Sequence, residues 1–85
     1  MKVGDLVRNK HSESGLLGLF ARWRTFDKTY TCPIVVWQDG RIGSIQTSMV
    51  EVVQGALSDE QLEDVIGGAS PEAFSQWRAE RINAG

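Results

Sequence analysis

Through residue 53 the apolar positions come in short runs of period two, separated by polar clusters. After Gln54 and Gly55 the period opens towards 3.6 residues. The first part therefore reads as strands and the second as helices. Val3 to Arg8 is a first strand, entered through the tight bend Gly4-Asp5, and 9–15 (NKHSESG) is a polar loop. Leu16 to Arg24 is apolar on both sides at its start, with Gly18 marking a bulge or a close backbone approach. Polar residues 25–29 make a turn. The stretch from Tyr30 to Gln46 (YTCPIVVWQDGRIGSIQ) folds back on itself at Asp39-Gly40. Residues 47–49 suit one 3₁₀ turn, and Val50 to Val53 make a last short strand.

The hairpin organises the rest of the chain. A two-residue type I′ turn at Asp39-Gly40 puts Trp37 opposite Ile42, Val36 opposite Gly43 and Ile34 opposite Ile45. One face then carries Val35, Trp37 and Ile42, and the other carries Ile34, Val36 and Ile45. An antiparallel sheet wet on one side alternates apolar with polar, whereas this hairpin is apolar on both sides. Its second face needs a cover, and the tail can supply one. Ser58 and Gln61 form a capping box, Leu57 and Leu62 sit at the staple positions, and Gly67-Gly68 stops the helix. Ser70-Pro71 opens a second helix with Phe74 and Trp77 along one side. Both helices are too short to be stable alone. The expectation is a mainly β fold with α. A small five-stranded antiparallel barrel spans 1–53, and a linker with a C-terminal helical hairpin spans 54–85. Leu62, Val65, Ile66, Phe74 and Trp77 would meet Ile34, Val36 and Ile45, either within the chain or on a protein partner.

Size and charge narrow the functions. The 85 residues suit one domain, with 41% hydrophobic and 24% charged residues as in ordinary globular chains. No stretch is apolar enough to span a membrane, and the start MKVGDLVRNK has no signal-peptide core, so secretion through a signal peptide is not expected. The single cysteine, Cys32, excludes an internal disulfide and a cysteine-rich metal site. Residues 1–53 carry seven Lys/Arg against five Asp/Glu, and residues 54–85 carry two against six. The mildly basic first part and acidic tail suit different partners or each other.

Two stretches resemble known families. MKVGDLVRN followed by GLLGLF resembles the KOW-type opening of SH3-like barrels, and Val35-Val-Trp37-Gln-Asp39-Gly40 resembles a Tudor-type strand and turn. The order VGDLVR, an apolar strand with glycine, VVWQDGRIGSI and VEVV is similar to small uncharacterised proteins of tailed bacteriophages, especially those infecting cyanobacteria. This resemblance implies an SH3-like barrel in a virion or in the host cytoplasm. In the tail, LSDEQLEDVIGGA resembles double-glycine leader peptides. That implies a protease cutting after Gly68 of the Gly67-Gly68 pair.

The chemistry to choose among is sparse. His11, Cys32 and Asp39 could be drawn as base, nucleophile and orienter, but each type occurs once or already has a turn role, and no enzyme is expected. Nothing in the chain calls for a cofactor or a metal ion. Trp23, Phe26, Tyr30 and Trp37 lie on or beside neighbouring strands. They read as core and rim packing, with Trp37 in the core and Phe26 the most exposed, and only secondarily as a stacking platform. The leading expectation is a non-enzymatic structural or protein-interaction module. One alternative is a nucleic-acid-binding barrel using Arg8, Lys10, Arg22, Arg24, Phe26 and Lys28. The other is a leader-like protease substrate.

Overall fold

The computed structural model describes residues 1–11, 13, 15–55, 57–67 and 71–82. Five antiparallel strands form one sheet in the order β4-β3-β2-β1-β5. They are β1 (Leu6–Asn9), β2 (Leu17–Phe26), β3 (Tyr30–Trp37), β4 (Ile42–Ser44) and β5 (Val50–Gln54). A 3₁₀ turn at Thr47–Met49 precedes β5. Only residues 45–49 join the two edge strands. A flat five-stranded sheet is about 19 Å from edge to edge at ~4.8 Å per strand, more than a link containing a 3₁₀ turn comfortably covers. The sheet is therefore rolled. Among the described residues β4 and β5 do not pair, so the roll is not closed into a hydrogen-bonded barrel.

The turn at Asp39-Gly40 is one residue longer than the type I′ expectation. Trp37 N–H donates to the Arg41 carbonyl at 2.7 Å, and Gly40 N–H donates to the Trp37 carbonyl at 2.9 Å. Gly40 has a φ of 95°, while Asp39 is not in the left-handed region. This is the three-residue hairpin loop, in which a turn is followed by a left-handed glycine. Asp39 accepts from both Arg41 N–H and Arg41 Nε, a local bond that holds the longer loop. The extra residue moves the register by one. Val36 opposes Ile42, Val35 opposes Gly43 and Ile34 opposes Ser44. Such a slip exchanges faces, so Ile42 joins Ile34 and Val36, and Ile45 joins Val35 and Trp37.

Both faces of the sheet are indeed apolar. On one, Val7, Phe20, Val35 and Val50 form a buried cluster with Met1, Trp37 and Ile45 packed against it. On the other, Leu6, Leu19, Ala21 and Val36 pack with Leu62, Ile66, Ala73, Phe74 and Trp77 of the tail. Gly18 marks a close approach rather than the bulge: a Cβ there would collide with Val35 Cγ1 and meet Trp37 Cε3 at 2.8 Å. The bulge falls at Ala21, between the pairs Phe20–Val35 and Arg22–Ile34. The first strand starts at Leu6, because Val3-Gly4 is occupied by a turn closed by Asp5 N–H to the Lys2 carbonyl at 3.0 Å.

The tail contains one full helix rather than a helical hairpin. α1 (Asp59–Leu62) is a single turn, widened into a π turn at Glu63–Gly67, and α2 (Pro71–Ile82) carries the packing face. The cap at Ser58 and the glycine at 67 leave room for only about two turns between them. The capping box is complete: Gln61 N–H donates to Ser58 Oγ at 3.2 Å and Ser58 N–H to Gln61 Oε1 at 2.9 Å. Arg81 ties the two helices. Its guanidinium makes paired 2.7 Å bonds to the Asp59 carboxylate and lies 4.5 Å from the Trp77 ring centroid.

Hydrogen bonds from Arg81 hold the Asp59 carboxyl below its ordinary value of 3.8, and the same bonds raise Arg81. A carboxyl lowered in the folded state stabilises the fold above its unfolded pKa, and that contribution disappears as pH falls through the folded one. Acid titration of stability should therefore be steeper below about pH 4 in the native chain than in Arg81→Gln. Asp59 is largely exposed, so the difference is small. Equal acid slopes in the two chains would show that the pair contributes nothing measurable.

Candidate interaction site

A cleft of about 360 Å³ opens beside β4. Asn9 at the end of β1, Leu16 before β2, Trp37 at the end of β3 and residues 41–45 line it. Each wall has a local cause. Gln38 anchors the loop before β2, its N–H donating to the Leu17 carbonyl at 2.8 Å. Trp37 is only half-buried, because its ring lies over Gly18 at the end of the inner cluster. Ile42 remains 42% exposed although it lies opposite Val36. Arg41 is tied to Asp39, whose carboxyl is lowered first by the Arg41 backbone N–H. The described lining thus combines apolar Leu16, Trp37, Ile42 and Ile45 with polar Asn9, Arg41 and Ser44 and includes no carboxylate residue.

β4 also offers backbone. Trp37 N–H to the Arg41 carbonyl and Ile45 N–H to the Pro33 carbonyl place Arg41, Gly43 and Ile45 as the residues that bond to β3. By alternation, the N–H groups of Ile42 and Ser44 point outward from the sheet edge. Among the described residues β4 has β3 as its only sheet neighbour.

The residues singled out as a protein-binding surface are distributed differently from expectation. Leu62, Ile66, Phe74 and Trp77 are buried in one cluster with Val36, and Ile34 is buried on β3. Ile45 lies on the opposite face because of the register shift, and Val65 is 38% exposed. This apolar face is covered by the chain's own tail.

The six candidate nucleic-acid residues separate into three places. Arg8 is paired with Glu51 on β5, and Lys10 follows β1 in a turn. Arg22 is half-buried against Glu80 of α2 at 3.2 Å. Arg24, Phe26 and Lys28 gather at the distal end of β2 and β3, where the Arg24 guanidinium lies 4.9 Å from the Phe26 ring centroid. Phe26 is half-buried, whereas Trp23 and Tyr30 are 44% and 48% exposed, the reverse of the expected order. A hydrogen bond with the Cys32 side chain raises the Tyr30 phenol above its ordinary value.

His11 is exposed in the loop after β1, Cys32 is buried near the start of β3, and Asp39 lies past its other end. These three are not brought together as a triad. Gly67 ends the π turn, and Gly68 lies outside the described residues. Sequence reasoning missed the cleft itself. Its signal was the extra loop residue, which sequence alone does not separate from a two-residue turn at Asp-Gly.

Comparison with protein-family models, curated proteins and solved structures gives no match to this chain.

Proposed function

We propose that the protein is a non-enzymatic interaction module that takes an extended polypeptide segment into the cleft beside β4. The observation that carries this reading is the unclosed sheet: an edge strand with outward N–H groups lies beside a cleft walled by Trp37, Leu16, Ile42 and Ile45. A segment added there would gain main-chain hydrogen bonds and place alternate apolar side chains in the cleft. It would complete the roll of an SH3-like barrel that the chain alone leaves open. Leu62, Ile66, Phe74 and Trp77 of the tail are already buried on the other face. The resemblance to small proteins of tailed phages makes a virion assembly, or the cytoplasm of the infected host, the place to seek the partner.

Displayed libraries of extended peptides, selected on the full chain, test this directly. Selected peptides should alternate apolar and polar residues and lose binding to Ser44→Pro. Proline at Ser44 removes an outward N–H and leaves the β3–β4 bonds in place. Arg24→Gln, remote from the cleft, should bind as the parent does. Peptides that bind Ser44→Pro with undiminished affinity would refute strand addition, as would a selection that yields none.

A further inference from the structure

The β2–β3 hairpin continues well beyond its neighbours. β1 pairs with β2 only over Leu17–Leu19, and β4 pairs with β3 only over Ile34–Val36. From Arg24–Cys32 to Phe26–Tyr30 the two strands have, among the described residues, only each other within the sheet. An isolated two-stranded ribbon is marginal in water. This one is held by a Thr25–Thr31 hydroxyl bond of 3.1 Å, by the Phe26–Tyr30 ring pair and by Arg24 over Phe26.

Four of the nine Lys/Arg are paired with carboxylates; Arg24 and Lys28 of the ribbon, like Lys2, Lys10 and Arg78, are not so paired among the described residues. Arg8, Arg22, Arg41 and Arg81 each have a carboxylate partner. Arg24 rests on an aromatic ring instead, and Lys28 at the tip has no carboxylate within ion-pair distance among the described residues. On the face they share, Arg24 is followed by Phe26, with Tyr30 directly opposite. The turn adds a second oddity. Asp27 and Lys28 both adopt positive φ, 52° and 66°, which glycine would adopt freely. Lys28 is thus exposed at the tip of the ribbon in a conformation that its side chain disfavours.

We propose that this ribbon binds single-stranded nucleic acid, its bases stacking on Tyr30 and Phe26 while Arg24 and Lys28 take neighbouring phosphates. The site is separate from the cleft and does not depend on its reading. Unpaired cations complement phosphate, and half-exposed rings accept any base, so binding should be weak, salt-sensitive and indifferent to sequence. A membrane surface fits less well. The tip Asp27-Lys28-Thr29 is polar and includes a carboxylate, whereas an inserting loop would present its aromatic residues at the tip.

Fluorescence anisotropy of a short labelled oligodeoxythymidine, titrated with the full chain at several salt concentrations, tests the proposal. Binding should appear at low salt and weaken with a log–log slope of about −1.4, as two phosphate contacts require. Lys28→Gly relieves the backbone conformation while removing a cation, so it should fold as well as the parent yet roughly halve the slope. Arg24→Gln should do the same, and Tyr30→Ser should weaken binding several-fold at constant slope. Absence of binding at the lowest salt would overturn the proposal. Undiminished binding by the Lys28→Gly, Arg24→Gln double variant would overturn it too. So would preference for duplex over single strand, or binding of anionic phospholipid vesicles without binding of the oligonucleotide.

Discussion

A chain ended at Gln54 should not keep a folded sheet in solution. The tail supplies Leu62, Ile66 and Trp77, all fully buried, and Phe74 at 7% exposure. At roughly 1.5–3 kcal/mol for each large side chain, their burial contributes on the order of 6–12 kcal/mol. That is comparable to the whole stability of an ordinary domain, about 5–15 kcal/mol. Removing the tail also exposes Leu6, Leu19, Ala21 and Val36 as one apolar strip on a sheet that already has open edges. Circular dichroism of the truncated chain should show no cooperative melt, and sedimentation should show aggregates. A truncated monomer that melts at the parent's temperature would mean that the inner cluster of Val7, Phe20, Val35 and Val50 suffices alone.

Trp77→Ala should be the most damaging single substitution among the tail residues. Loss of a fully buried Trp costs about 3–5 kcal/mol through transfer and cavity terms. A second loss is specific to this site. Trp77 Nε1 donates to the Phe20 carbonyl at 2.9 Å, a buried bond next to the last β1–β2 pair, Leu6–Leu19. Alanine leaves that carbonyl without its indole donor, at a further cost of about 1–3 kcal/mol if it stays dry. Trp77→Phe separates the two effects, keeping most of the ring and losing only the donor. Urea midpoints should fall in the order parent, Trp77→Phe, Trp77→Ala. A Trp77→Phe midpoint equal to the parent's would assign the hydrogen bond no net value.

Much of the architecture is local and was legible before folding was considered. Ser58 and Gln61 make their capping box because the two side chains are three residues apart, whatever else surrounds them. Pro71 opens α2 because a first helical position needs no N–H. The 3₁₀ turn at 47–49 and the demand for a cover over Val36 follow equally from sequence pattern.

What the local pattern does not contain was decided in three dimensions. One additional loop residue at Gln38–Gly40 exchanged Ile42 and Ile45 between faces, since a period-two element has no tolerance for a shift of one. Whether the roll closes depends on strand pairing between residues at opposite edges, which no short-range signal reports. The pairing of Arg22 with Glu80 and of Arg81 with Asp59 joins positions far apart in the chain, and it left Arg24 and Lys28 as the cations of the ribbon. Sequence alone therefore determined the strands, the caps and the need for a second layer. Tertiary structure decided which apolar residues were consumed by that layer and which groups remained at the surface.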